Sequence, residues 1–346
     1  MMCKQATRIL LAVLVGSLLT APGCARSEPD SSRTTAASQQ DGDRPSRRLT
    51  LAVIPKSIGG EFWETVEEGA RDAAKGLDVS IKWEGAAVET ELAEQNKIIE
   101  NMVNLGVDGM ALAPLNNRVM RKSVESVVAA GIPVVIFDSP VDGDAHVSYI
   151  GTDNVAGGAL AAQHLADRLQ QSGKRIFVLR YIQGTASTEQ RTDGFMKAAE
   201  AAGLGILAHP YSDDATVAGA IKTASNGLER FVKNGKLQID GIFATNLFST
   251  MGMMTALEDL RRSGVQTDAI FVGFDTSPKL LEDLLAGRVD ALVAQNPRRI
   301  GYLAVETLVR HLRGEQVEPI IDTGAQLVTR ERLESDPEIR KLVGFE

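Results

Sequence analysis

From Leu49 onward, short apolar runs alternate with stretches whose apolar residues recur every three or four positions. LTLAVI (49–54) predicts a strand and EFWETVEEGARDAAKGL (61–77) an amphipathic helix. VSIKWEG (79–85), a helix through TELAEQNKIIENMVNLG, DGMALAP (108–114), a helix ending at Ala130 and IPVVIFD (132–138) follow. HVSYIGTDN reads as a connection, after which the pattern restarts with a helix over 154–171 and the strand RIFVLR (175–180). A helix over 189–202, the strand GILAHP (205–210), a helix over 215–234 and the strand DGIFATN (240–246) come next. A helix over 248–262, the strand AIFVGFD (269–275), a helix over 277–286 and VDALVAQ (289–295) complete the alternation. The tail adds a helix over 298–313 and a weaker extended region to Val328. Strands this rich in Val, Ile and Leu, each followed by a helix, predict parallel sheets covered on both faces.

The two halves echo each other: VDGMALAP…IPVVIFDSP and IDGIFATN…AIFVGFDTSP share an Asp-Gly, a strand, a helix, and a strand ending in Phe-Asp. Such an internal repeat predicts an α/β protein of two similar doubly wound lobes. The Ser and Asp after each apolar run could simply cap the next helix. Alternatively, Asp138 and Asp275 stand at the carboxyl ends of parallel strands, where open α/β sheets bind ligands, and face one cleft from opposite lobes.

The first residues do not continue this pattern. Lys4 and Arg8 precede ILLAVLVGSLL (9–19), followed by small residues, Pro22 and Cys24. A charged start, a short apolar stretch and a cleavage zone predict an export signal over 1–24, too short to span a bilayer comfortably. TAPGC resembles a bacterial lipobox, making Cys24 the expected lipidation site, although Ala21 and Pro22 depart from that motif and cleavage after Ala25 also fits. Residues 25–48 are polar and lack apolar periodicity, as suits a disordered tether. Cys3 and Cys24 are the only cysteines, so no disulfide forms beyond the signal. With 44% hydrophobic residues, a core of this length needs none. Beyond residue 48 the chain carries 30 basic and 41 acidic residues, a net −11, which argues against nucleic-acid binding.

No enzymatic constellation emerges. His146, His164, His209 and His311 lie on separate elements without metal-ligand spacing, and no nucleophile elbow, Walker loop or dinucleotide fingerprint follows a strand. No cofactor and no metal are expected.

These residues carry a resemblance. From about 49 to 330 the chain resembles the periplasmic ribose-binding protein family, the sugar-binding components of ABC transporters. IPKSIGGEFWETVEEGA resembles that family's first strand and helix, in which two adjacent aromatics enter the cleft, here Phe62 and Trp63. FDSP supplies the first-lobe aspartate Asp138, GTASTEQRTDGF gives Arg191, and IFATN gives Asn246. VGFDTSP supplies the second-lobe Asp275, and VAQNPRRIG gives Gln295. The chemistry is sound without the family: carboxylates accept from sugar hydroxyls, Arg, Asn and Gln donate to them, and aromatic rings cover apolar C–H faces. Each residue also has a plainer reading. Phe62 and Trp63 could be core, Arg191 a surface ion-pair partner and Asn246 a helix cap; GTDN (151–154) reads as a turn and helix start.

The departures concern the ligand. Ser139 stands where the ribose-binding pattern has Arg, Gly59 and Gly60 replace paired asparagines, and Lys56 replaces a small polar residue. That lysine is similar to relatives with other ligands, including the furanosyl signalling molecule of quorum sensing. YSDDATVAG (211–219) lacks the aromatic that relatives use from the second lobe. Lys56 and Ser139 therefore join the expected ligand contacts, and ribose as the ligand does not follow.

The resemblance implies a type I periplasmic-binding-protein fold with a three-crossing hinge. Lobe one would hold 49–152 plus 296–324, and lobe two 153–295 plus 325–346. It implies a monomeric, non-enzymatic solute-binding component of an ABC importer, held in the periplasm or at the outer face of the cell membrane by its lipid anchor alone. Its partners would be a monosaccharide or polyol and a permease. The same domain could instead feed a membrane sensor kinase or chemoreceptor. A lactose-repressor-type regulator shares the fold but needs an amino-terminal helix-turn-helix in place of the signal and tether.

Overall fold

A computed structural model describes residues 47–169 and 174–345. The expected export signal, Cys24 and the tether up to residue 46 lie outside the described residues. The chain runs β1 (Thr50–Ile54), α1 (Glu61–Leu77), β2 (Ser80–Trp83), α2 (Leu92–Asn104), β3 (Gly109–Leu112), α3 (Arg121–Ala129), β4 (Val134–Phe137) and β5 (Ser148–Gly151). It continues through α4 (Asn154–Leu169), β6 (Arg175–Leu179), α5 (Ala186–Ala201), β7 (Gly205–Ala208), α6 (Val217–Glu229), β8 (Val232–Lys233), β9 (Lys236–Leu237) and β10 (Gly241–Ala244). Then come α7 (Leu247–Arg262), β11 (Ile270–Phe274), α8 (Pro278–Leu285), β12 (Ala291–Ala294), α9 (Pro297–Leu312), β13 (Ile320–Asp322), β14 (Gln326–Thr329), α10 (Arg330–Ser335) and α11 (Pro337–Val343).

Two six-stranded sheets result, ordered β13-β5-β4-β3-β1-β2 and β14-β12-β11-β10-β6-β7. The orders superimpose strand for strand, so the sequence echo is a topological one: β3 and β4 correspond to β10 and β11. All pairings within these sheets are parallel except β12 with β14. Three passages join the two lobes: β5 to α4, β12 to α9, and β13 to β14. Each sheet is covered on both faces. Trp63, Val66, Ile300 and Leu308 pack on one face of the first sheet and Ile98, Met102 and Val124 on the other. Leu165, Phe195 and Ala199 pack on one face of the second, and Ala224, Met253 and Leu281 on the other.

The repeated Asp-Gly pairs have equivalent work. Asp108 accepts the amide of Thr50 at 2.7 Å, tying the start of β3 to the start of β1. Asp240 accepts the amide of Arg175 at 2.9 Å, tying β10 to β6. The glycine that follows leaves room for helix side chains against the sheet: a Cβ on Gly109 would meet Leu308 of α9 at 2.9 Å, and one on Gly241 would meet Leu169 of α4 at 3.2 Å.

The elements differ from expectation where local pattern was weak. HVSYIGTDN contains β5, a strand of only four residues buried between β4 and β13. The expected helix over 215–234 stops at Glu229 and gives way to the β8–β9 hairpin. Asn234 and Gly235 turn that hairpin with φ of 52° and 71°, the left-handed pair that an Asn-Gly turn favours. Helix α5 begins at Ala186, before the expected 189, and the tail adds α10 and α11, capped by the side chains of Thr329 and Asp336.

Candidate functional site

Strands β1, β4, β6, β10, β11 and β12 all deliver their carboxyl ends to the space between the sheets. A partly enclosed cavity lies there. Lys56, Phe62, Trp63, Asp138, Arg191, Asn246, Asp275 and Gln295 all line it. Of the expected contacts, only Ser139 is not on the wall.

Asp138 and Asp275 occupy equivalent backbone positions. Each donates its amide to the neighbouring strand, Asp138 to Ile150 O and Asp275 to Val293 O, both at 2.9 Å. Each adopts a left-handed conformation, with φ of 61° and 71°. Asp tolerates that region better than most side chains, and here it turns both carboxylates out of the strand direction into the cleft. Neither caps the helix that follows: Ser277 caps α8 by accepting from Leu280 at 3.2 Å. Asp275 instead accepts the amide of Leu247, at the start of the neighbouring α7, at 2.9 Å.

The charged groups pair within each lobe. On the first, Lys56 Nζ lies 2.6 Å from Asp138 Oδ2, with both side chains 4% exposed. On the second, Arg191 donates to Asn154 Oδ1 at 2.8 Å and to Thr245 O at 3.0 Å, and its guanidinium lies 3.8 Å over the Phe274 ring. It stands 3.9 Å from Asp275 Oδ2. Burial pushes the Asp275 carboxyl up and pulls the Arg191 guanidinium down, while their mutual attraction opposes both shifts. The surface ion-pair reading of Arg191 does not hold, because the side chain is buried.

Gln295 is committed at both ends of its amide. Nε2 donates to Asp275 Oδ1 at 2.6 Å, and Oε1 accepts from Thr152 Oγ1 at 2.7 Å. Asn246 both lines the cavity and caps α7, since its Oδ1 accepts the Ser249 amide at 3.0 Å and its own amide donates to Ser249 Oγ at 2.9 Å. Trp63 joins the first-lobe core as well as the wall, with Phe62 edge-on to it at 5.0 Å and 88°.

The lobes touch directly beside the cavity. Lys56 donates to Ser187 Oγ at 3.3 Å, and the Ser187 amide donates to Ser139 Oγ at 3.0 Å. Ser139 is fully buried and serves this bridge.

Several wall residues escaped sequence reasoning: Glu89, Tyr181, Thr185, Ser187, Thr188 and Phe248. Tyr181 and Phe248 supply second-lobe aromatics, 6.0 Å apart, from segments other than 211–219. The signal for Phe248 was its place two residues after Asn246, at the carboxyl end of a strand. Glu89 carried no signal, because its loop shows no periodicity. GTDN is a strand end and helix start, and it also orients the site through Thr152 and Asn154.

Two parallel-sheet lobes, three connections and a polar cleft between the strand ends define an interlobe ligand-binding architecture. The chain belongs to the periplasmic binding protein family, whose domain matches residues 51–316. It is 26% identical over 329 residues to the ribose import binding protein of Bacillus subtilis, covering 94% of this chain and 99% of that one. It is 28% identical over 276 residues to the D-allose-binding periplasmic protein of Escherichia coli, covering 78% and 86%. A carbohydrate transporter solute binding protein from Agrobacterium radiobacter, solved in complex with D-arabinose, matches with a TM-score of 0.79 at 30% identity, over 86% of this chain and 99% of that one. An ABC transporter solute binding protein from Agrobacterium vitis with bound D-fucose matches with a TM-score of 0.78 at 32% identity, over 85% and 99%.

Proposed function

We propose that this protein is the solute-binding component of an ABC importer, taking a monosaccharide or related polyol into the interlobe cleft and delivering it to a membrane permease. The observation that carries this reading is the pair of aspartates, one from each lobe, in the same left-handed conformation and lining one cavity. A sugar has hydroxyls on opposite sides of its ring, so it reaches acceptors on both lobes at once. Arg191 and Lys56 supply donors, while Phe62, Trp63, Tyr181 and Phe248 supply apolar walls. Similar proteins solved with bound D-arabinose and D-fucose support the same class of ligand. The expected contacts Lys56, Phe62, Trp63, Asp138, Arg191, Asn246, Asp275 and Gln295 form the proposed site, with Ser139 acting through Ser187.

The reading is reversible binding, with no reaction assigned. We take lobe one as 49–152 plus 296–324 and lobe two as 153–295 plus 325–346, moving about the three connections. Among the described residues no helix is long and apolar enough to cross a membrane; attachment is assigned to a lipid on Cys24, and the working unit to a monomer outside the cytoplasmic membrane.

A thermal-shift screen tests the ligand class. One or a few pentoses, hexoses or polyols raise the melting temperature, because a ligand that binds only the folded state stabilises it by mass action. Stabilisation by amino acids or peptides and by no sugar or polyol overturns the reading.

A further inference from the structure

We propose that Glu89 is a specificity-determining residue of this cleft, presenting one fixed carboxylate oxygen that selects among sugars by the hydroxyl it meets. This rests on the sugar-binding reading above. Glu89 lies on the loop between β2 and α2, lines the cavity and is 8% exposed. Trp63 Nε1 donates to its Oε1 at 2.8 Å. The Tyr181 hydroxyl faces the same carboxyl and favours its ionised form by hydrogen bonding, and a carboxylate with two oxygens keeps acceptor capacity beyond these two partners.

The loop holds the carboxyl still. Glu91 Oε2 accepts the amides of Ala87 at 3.0 Å and Val88 at 3.3 Å. Ala86 O accepts the amide of Ile58 at 3.0 Å, binding the loop to the segment after β1. A group braced by its own loop and by a buried indole is oriented in advance of any ligand.

The fold gives no reason for a charge here. Glutamine would accept the same bond from Trp63 without the cost of burying an ionisable group. Around Glu89 stand Lys56 from the segment after β1, Asp138 after β4 and Tyr181 after β6, with Arg191 on α5 also within its field. Burial raises the Glu89 carboxyl above its ordinary 4.5, against the pull of Lys56 and Trp63. The acid is therefore kept at a cost to stability. Such costs fall on functional positions, and the function available on this wall is contact with the solute.

The test uses the purified full chain as wild type, Glu89→Gln and Glu89→Asp. Each is titrated calorimetrically with D-ribose, D-arabinose, D-allose and D-fucose, and each is melted without ligand at pH 5 and pH 8. A folded-state carboxyl raised above its unfolded value contributes stability below the unfolded pKa and loses it as pH rises through the folded pKa. Glu89→Gln escapes that loss, so its melting temperature exceeds that of the wild type at pH 8, and the gap narrows towards pH 5. Meanwhile it binds the preferred sugar about tenfold more weakly or worse, roughly the effect of one charged hydrogen bond, with a smaller preference over the next sugar. Glu89→Asp, whose carboxyl is withdrawn by one methylene, also loses preference. Unchanged affinities and ranking in Glu89→Gln leave Glu89 as a brace for Trp63 and overturn the inference alone. A Glu89→Gln chain that misfolds or melts lower at pH 8, with Glu89→Asp binding as wild type, overturns it too. If no sugar binds the wild type, the sugar reading falls and takes the inference with it.

Discussion

Lys56 and Asp138 form a buried ion pair at the first-lobe wall, and that pairing gives each side chain two consequences. Removing one partner strands the other charge in a water-poor site, which costs about 3–5 kcal/mol, whereas replacing both partners costs far less. Asp138→Asn therefore lowers the melting temperature of the unliganded protein, and adding Lys56→Met recovers most of the loss. Neither variant recovers sugar affinity, because asparagine offers one neutral acceptor oxygen, and an NH₂ donor, where the carboxylate offers two charged acceptors. Thermal melts and calorimetric titrations of the two single variants and the double variant check this. Normal sugar binding by the double variant would remove Asp138 and Lys56 from the site. Asp275 behaves differently. It accepts the Leu247 amide and the Gln295 side chain, so its loss loosens the start of α7 even where no ligand is present.

Helix pairs at the connections set how the lobes are built. α1 packs on α9, and α4 on α5, through glycines that admit a neighbour's backbone. A Cβ on Gly301 would lie 1.9 Å from Val66 O, and one on Gly69 1.9 Å from Arg298 O. In the second lobe, Gly194 faces Val155 O at 2.0 Å and Gly158 faces Arg191 O at 1.9 Å by the same measure. Alanine at these positions must push two helix axes apart, at about 1–3 kcal/mol or more for overpacking. The two contacts differ in their distance from the chemistry. Gly158→Ala displaces the helix turn that carries Arg191, so it weakens sugar binding as well as stability. Gly301→Ala, against Val66, lowers stability with a smaller effect on binding. Melting temperatures and affinities of the two variants, measured side by side, decide; equal losses of affinity would show that the α4–α5 contact has no special link to the site.

For the whole molecule, the ligand is an additional bridge across an interface already joined by Ser187 with Lys56 and Ser139 and, at the connections, by Thr152 with Gln295 and Asp153 with Asp322. A solute bound by both lobes favours the compact state because it makes contacts there that a separated arrangement lacks. Small-angle scattering of the wild type contracts on adding the preferred sugar, and Asp138→Asn/Lys56→Met needs more sugar to reach the same dimensions. No contraction at saturating sugar would sink the hinge-closure reading. Cell attachment belongs to the same scale. On the proposed attachment through Cys24, a coil of about 24 residues would span roughly 25–30 Å, enough for the domain to reach a permease. Cys24→Ser releases the protein from membranes with its sugar affinity unchanged, as fractionation and titration would show. A wild type recovered wholly in the soluble fraction rules the anchor out.

The sequence alone determined the architecture, because parallel strands buried on both faces must be apolar throughout and their covering helices must be amphipathic. Local chemistry also marked Asp138 and Asp275: an apolar run that stops on Asp stands out, and the repeat made it stand out twice. The hairpin at 232–237 was legible from Asn234-Gly235, but the helical pattern before it masked the turn. What only the tertiary structure decided is what meets across space. β5 is a strand because β4 and β13 flank it, and four residues with a serine and a glycine announce nothing on their own. The dual commitments of Gln295 and Asn246, the bridge from Ser139 to Ser187 and the second-lobe aromatics Tyr181 and Phe248 join segments far apart in the chain. Glu89 is the extreme case. Its neighbours in sequence mark a solvated acidic loop, and only the fold, by closing Trp63, Lys56 and Tyr181 around it, turns that acid into a wall of the cleft.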